Sequence, residues 1–220
     1  MKVINKFKNY RKEVTYALLF FVYCAVTFEL FNRPLLGPVY TLEIPFDAKI
    51  PLIKELILVY HTFMPMVVVS CMMVMLRSRD EFWRMILVLF ISQTLAYLIY
   101  TCCQTYVPRV DTSDFGDDFF SKILKFTYEI DGNYSAAPSL HVSNMVICII
   151  FLTRSNYKKS TKILVNLYLF LIAITTVLVK QHVFLDIPAG MIHAVFCFVV
   201  GSRIYVKYLR NKLKEKKILE

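Results

Sequence analysis

Residues 163–206 read ILVNLYLFLIAITTVLVKQHVFLDIPAGMIHAVFCFVVGSRIYV. Two apolar runs, 163–181 and 184–206, are each long enough to cross a hydrocarbon layer about 30 Å thick. They abut through a short turn that carries Lys180, Gln181 and His182, with Asp186 just beyond it. A pair of membrane helices with ionisable side chains held near one interface is therefore expected. Working outward, four further runs of the same kind lie at roughly 14–31, 52–76, 83–106 and 139–153, parted by polar or proline-containing breaks. Six spans also account for the composition, since 57% apolar and 19% charged is too apolar for a water-soluble domain of 220 residues. With Gly at 5 and Pro at 8, a collagen-like or disordered chain is excluded. No period of 20–50 residues recurs, which argues against a solenoid and against a transporter built from internal repeats. The expected architecture is an all-α integral membrane six-helix bundle over 14–206, with basic tails at 1–13 and 207–220.

The net charge of +10 suggests nucleic acid only if the basic residues share one face of a soluble domain. Here they sit in short stretches between apolar runs. The N-terminal tail, the 77–84 loop, the 154–162 loop and the end from Arg203 onward hold 19 of the 26 Lys and Arg residues. Both termini are accordingly expected on the cytoplasmic side, with the acidic 107–138 loop outside, in the plasma membrane of a prokaryote. The run from Val14 to Phe31 is long for a signal segment and lacks a small-residue cleavage site, so it is expected to be a retained first span. Cys24, Cys71, Cys102, Cys103, Cys148 and Cys197 lie in or at the end of apolar runs without a C-x-x-C pair, and are expected as buried thiols.

This topology brings three polar groupings to one face: Arg109 after span three, Pro138-Ser139-Leu140-His141 at the start of span four, and Lys180 to Asp186 between spans five and six. A bundle can gather them into one pocket. The chemistry they suit is phosphoryl transfer through a histidine. Four residues apart at a helix start, Asp186 can accept the proton on one ring nitrogen of His182 and leave the other nitrogen to attack. His141 then stands opposite as general acid. Arg109, Lys180, the Ser139 hydroxyl and the first-turn amides of span four suit phosphate oxygens, because helix N-termini favour anions.

These groupings resemble the three motifs of the type 2 phosphatidic acid phosphatase family, K-x6-R-P, P-S-G-H and S-R-x5-H-x3-D, over about residues 40–200. The family's fold is a helical bundle shared with vanadium haloperoxidases. The resemblance gives Arg109 the arginine of the first motif. Ser139 and His141 take the serine and acid histidine of the second, and His182 and Asp186 the nucleophile and its orienting carboxylate in the third. Asp131-Gly132-Asn133 ahead of A-P-S-L-H-V, and Val179-Lys180-Gln181-His182 before Asp186, look most like the inositol phosphorylceramide synthase-like branch; Asn133 and Leu140 join the substrate-binding set on that ground. The family's lysine falls on Cys102, its proline on Val110, its glycine on Leu140 and its Ser-Arg pair on Thr175 and Thr176. Lys180 is the candidate to replace one missing cation.

The resemblance implies a membrane-embedded phosphatase that hydrolyses a lipid-linked phosphate monoester or diphosphate at the extracytoplasmic face. No cluster of carboxylates or His/Cys ligands lies at metal-binding spacing on the outer face, so no metal or other cofactor is expected, and the distribution of basic residues between apolar runs leads to no nucleic-acid partner. The alternatives are a phosphotransferase that moves a phospho-headgroup to a lipid alcohol, and a non-catalytic lipid-binding or transport bundle. His61 and His193 are expected to be packing groups within the bundle, and Asp111 to Asp118 a solvated loop. The basic C-terminal end is expected to meet anionic headgroups.

Overall fold

The computed structural model describes residues 10–35, 37–113, 115–216 and 218. Lys2, Lys6 and Lys8 of the basic tail, Asp114 of the acidic stretch and Lys217 lie outside them.

The chain is mostly helical. Helix α1 spans Arg11–Phe31; a 3₁₀ turn at Lys54–Leu56 leads into α2 at Ile57–His61 and α3 at Phe63–Arg77; α4 runs Arg79–Cys102. After an outer segment containing α5, Phe119–Ile130, come α6 at Leu140–Arg154, α7 at Lys159–Leu178 and α8 at Asp186–Ile204. A π-helical turn, Tyr205–Leu209, carries α8 into α9, Arg210–Glu215. The two-residue strands β1, Val39–Tyr40, and β2, Gln104–Thr105, pair in parallel and tie the outer segments together.

Five helical stretches, 11–31, 54–77, 79–102, 159–178 and 186–215, are long and apolar enough to cross a membrane. The expected sixth, α6, has 15 residues and rises only about 22 Å, short of a full crossing. Its start explains its length: α6 begins at the Ser139 cap, whose hydroxyl accepts from Val142 N, and Ser139 is itself fully buried. Met145, Ile147 and Cys148 on α6 are completely buried among α3, α4, α7 and α8, so this short helix is the centre of the bundle. Leu164 on α7 and Ile192 on α8 are each 71% exposed and look outward, as lipid-facing residues do.

Two glycines set helix spacing. A Cβ on Gly201 would come within 2.9 Å of Val88 on α4, and one on Gly190 within 2.8 Å of the Ser139 carbonyl oxygen. Side chains larger than hydrogen would force α8 off its neighbours. At the end of the bundle away from Ser139, Arg79 grips the buried Glu13 carboxylate with Nε and Nη2 at 2.9 and 3.2 Å, and Asp80 accepts from Tyr205 and Arg210.

Two sequence expectations change, and a third is refined. The 107–138 segment is not all loop: Asp118 caps α5 through Phe120 N and Ser121 N and pairs with Lys54, so the acidic run ends in a structural carboxylate. This amphipathic helix buries Ser121, Leu124 and Thr127 and is too short to read as a span. Span two stands as one stretch, 54–77, but its regular helix is interrupted by a turn at Thr62, between α2 and α3. Of the six free cysteines, Cys102 and Cys103 are exposed, because α4 ends there and leaves the bundle.

Candidate functional site

Four helix ends meet at the Ser139 end of the bundle: the last turns of α4 and α7 and the first turns of α6 and α8. The turn between α7 and α8 holds His182. Its backbone is fixed by Gln181 N and His182 N, which both donate to Thr176 O at 2.9 and 3.0 Å. From outside, Asp47 clamps the same turn: its Oδ1 accepts from Phe184 N at 2.7 Å, while its Oδ2 accepts from Ile44 N at 2.9 Å.

His182 makes two side-chain bonds. Nδ1 lies 2.9 Å from Asp186 Oδ2, and Nε2 lies 3.1 Å from Ser139 Oγ. Asp186 is fully buried in the first turn of α8, where the helix dipole favours a carboxylate, and its Oδ2 also accepts from Val183 N at 3.1 Å. Beside a carboxylate acceptor, the geometry suits the tautomer with its proton on Nδ1. Nε2 then keeps its lone pair and takes the Ser139 hydroxyl proton as its donor. His182 itself precedes α8, in a turn; the four-residue spacing to Asp186 works there because Val183–Asp186 closes a tight turn, with Asp186 N donating to Val183 O.

His141, at the second position of α6, stands with its ring centroid 5.7 Å from that of His182. Tyr60 stacks on it at 4.9 Å and Phe63 packs at 4.2 Å. The first-turn N–H groups of α6, Leu140 and His141 among them, have no intrahelical acceptor by the geometry of a helix start. Both histidines, Leu140 and Asn133 line a cavity of about 370 Å³ that runs from Asp131, Asn133 and Gln181 down between α1, α3, α4 and α6.

Arg109 sits beside this cavity. Its Nη1 donates to Gln181 Oε1 at 2.7 Å, its Nη2 to the Asp131 carbonyl at 2.5 Å, and its guanidinium lies 4.5 Å over the Tyr128 ring. Burial lowers its pKa from the ordinary value, opposed first by Asp131. Asn133 exchanges bonds with Val107, its Nδ2 donating to Val107 O at 3.0 Å, and so ties the Arg109 segment to the cavity rim.

Lys180 is placed differently. Its Nζ donates to the carbonyls of Asp47 and Ile50 at 2.9 and 2.6 Å, on the far side of His182 from the large cavity, where it lines a smaller hollow with Asp47 and Val107. Its left-handed backbone, φ 55°, aims it there. Thr175 and Thr176, where the motif has Ser-Arg, are fully buried, with hydroxyls bonded back into α7.

Sequence reasoning missed several residues. His61 reaches the cavity and bonds Thr127 Oγ1 at 2.8 Å. The Asp131 carboxylate accepts from Tyr60 OH at 2.7 Å. Its pKa is raised from the usual carboxylate value, chiefly by burial, against the Tyr60 bond, Arg109, His182 and His61. Gly190 and Asp47 shape the site without facing it; a lone carboxylate inside IPFDAKI and a glycine one turn after Asp186 were the available signals. His193 is enclosed in the bundle: Nδ1 meets Ser143 Oγ at 3.1 Å and Nε2 meets Cys197 Sγ at 3.6 Å. Among the described residues no three His, Cys, Asp or Glu side chains converge as metal ligands.

Neither a curated protein nor a solved structure matches the chain. The family model of the PAP2 superfamily, whose members are in general phosphoesterases, matches residues 41–200, which include every one of these site residues. That span is well over half of the 220 residues, and the chain belongs to the PAP2 superfamily.

Proposed function

We propose that this protein is a metal-independent lipid phosphatase in which His182 carries the phosphoryl group. The observation that supports this most directly is His182 Nε2, held by Asp186 from behind and opening beside His141 on the cavity. In the first step Nε2 attacks phosphorus, the bond from phosphorus to the lipid oxygen breaks, and His141 gives its proton to the leaving alkoxide. In the second step His141 takes a proton from water as the water oxygen attacks phosphorus. The P–N bond breaks, and phosphate and neutral His182 are restored.

Charge on the non-bridging oxygens is met by Arg109, by the first-turn amides of α6 and, once its proton turns from His182 Nε2 to the incoming phosphate, by the Ser139 hydroxyl; Lys180 contributes only if it leaves its two carbonyls. Ser139, His182 and Asp186 follow the order of a serine-hydrolase relay, but Ser139 is fully buried and its Oγ also accepts from Val142 N. His182 is therefore the better-placed nucleophile.

Orientation follows the basic-residue bias: both termini cytoplasmic and the histidines outside. Strong labelling from outside, in intact cells, of a cysteine introduced at Lys158 would reverse it. The main test is phosphate release from purified protein and lipid phosphates, with and without EDTA. Release that vanishes in EDTA and returns with magnesium refutes the metal-free reading. A phosphotransferase is the second reading, favoured by the mainly apolar cavity beside the histidines, which can admit a lipid alcohol as readily as water. A phospho-lipid product formed from an added lipid alcohol identifies it.

A further inference from the structure

Below the histidines the cavity is walled by Cys24, Ala25 and Phe28 of α1 and Met64 of α3, as suits an acyl chain. In that wall one group is out of place. Asn144, on the same face of α6 as His141 and one turn deeper, is 5% exposed, and its Oδ1 has no hydrogen-bond partner. Leaving a buried amide oxygen unpaired is costly, so it is expected to be satisfied by something the cavity holds. Gln93 on α4, which lines the same cavity, is also 5% exposed and donates to Tyr97 OH at 2.5 Å. A polar step thus lies within an otherwise apolar channel, and it carries no charge.

We infer that Asn144, in the cavity it shares with Gln93 and Tyr97, forms a subsite for a hydroxyl on the lipid backbone, and that this subsite sets substrate choice at the His182 centre. The inference rests on the proposed lipid phosphate reading. Three features select a hydroxyl. A hydroxyl donates and accepts, so it satisfies either face of the Asn144 amide. The uncharged surroundings offer nothing to a carboxylate or an ammonium group. Asn144 is three residues, about 4.5 Å of helix rise, below His141, and a hydroxyl on the carbon after the ester carbon lies a comparable distance from phosphorus.

The test compares a 1-acylglycerol 3-phosphate with the same chain lacking the free hydroxyl. Wild-type protein should prefer the hydroxylated substrate by about tenfold or more in kcat/KM, because a site built to bond a hydroxyl rejects the analogue without it. Asn144→Leu should bring the ratio near one, chiefly by lowering kcat/KM for the hydroxylated substrate. Gln93→Leu should reduce the ratio part of the way, and is the second probe if Asn144→Leu does not fold.

Thermal shifts with the two corresponding phosphonates read the same difference without turnover, so failure of the phosphatase reading is distinguishable from failure of the subsite. A larger shift with the hydroxylated phosphonate, lost in Asn144→Leu, places the hydroxyl on the phosphate-bearing lipid. A shift gained by adding a monoacylglycerol to the hydroxyl-free phosphonate, again lost in Asn144→Leu, places it on a second lipid. Equal shifts throughout, or a preference that survives Asn144→Leu, overturn the proposal.

Discussion

The bundle holds two histidine clusters built on the same helices, and only one of them opens on space. His182 meets Ser139, and His193 meets Ser143; the two serines are one turn apart on α6, and the two histidines lie on and just before α8. The upper cluster has a buried carboxylate behind the imidazole, a second histidine in front and a cavity. The lower one has Ser92 at 3.5 Å and Cys197, no carboxylate, and packed side chains all round. On the proposed mechanism, serine and histidine in contact are therefore not enough to make a reactive centre. What separates the clusters is a base-orienting carboxylate and room for a phosphoryl group.

The sharpest way to break this comparison is to remove each imidazole. His182→Ala should lower phosphate release by about 10⁴-fold or more, since no phosphohistidine can form. His193→Ala should leave kcat/KM within about threefold while destabilising the bundle by about 1–3 kcal/mol, through a cavity and unpaired serine hydroxyls. Phosphate-release kinetics and thermal melts of the two variants decide it; equal losses of activity would erase the distinction. Asp186→Asn should come next, at about 10²- to 10⁴-fold. It keeps the shape but lets the wrong tautomer of His182 form, and a loss as deep as that of His182→Ala would argue that Asp186 does more than orient.

A smaller effect touches both clusters at once. Gly190 O accepts from Ser143 Oγ at 2.9 Å, and a Cβ on Gly190 would meet Ser139 O at 2.8 Å and Val142 Cβ at 2.9 Å. Gly190→Ala should push α8 away from α6, with a fall in kcat of about 10- to 100-fold from misplacement of His182 against His141. Gly201→Ala, whose clash is with α4 far from the site, should lower the melting temperature with little change in kcat for the molecules that remain folded. Matching kcat losses for the two glycine variants would mean that helix spacing near the site has no special role.

The difference between the clusters was half legible in the sequence. His182 and Asp186 could be paired from their spacing, and His141 and Ser139 from their place at the start of an apolar run, because helix geometry and membrane depth are local properties. The apolar runs marked the helices, but they could not reveal that α6 starts inside the site and stops short of a full crossing, nor that α5 exists; its pattern is that of a half-buried surface helix in a segment rich in charge. Lys180 and Cys102 show the other limit. Where a side chain points depends on backbone conformation, and the left-handed residue at 180 turns the lysine toward Asp47 and Ile50. The roles of Asp131 and Asp47 were hidden for a related reason: Tyr60, which Asp131 accepts from, and Phe184, which Asp47 holds, lie far away in sequence.

The smallest expected effect concerns the half-buried carboxylate of Asp131 at the cavity, which distinguishes orienting a histidine from closing the rim. Asp131 bonds Tyr60 OH and lies near Arg109, and its raised pKa arises first from burial. A carboxyl with a folded pKa above its unfolded value of about 3.9 binds more protons when folded, so its effect on stability is least unfavourable below that value and worsens as pH rises through the folded pKa. Asp131→Asn keeps an acceptor for Tyr60 and removes the titration. Melting temperatures measured from pH 4 to pH 8 in one detergent should therefore converge at the acid end and separate upward, the variant gaining slightly on wild type toward neutral pH. Phosphate release should change little compared with Asp186→Asn, because Asp131 touches Tyr60 and not a histidine nitrogen. A variant that instead loses stability as pH rises would show that Arg109 outweighs burial and that Asp131 is held charged in the folded protein.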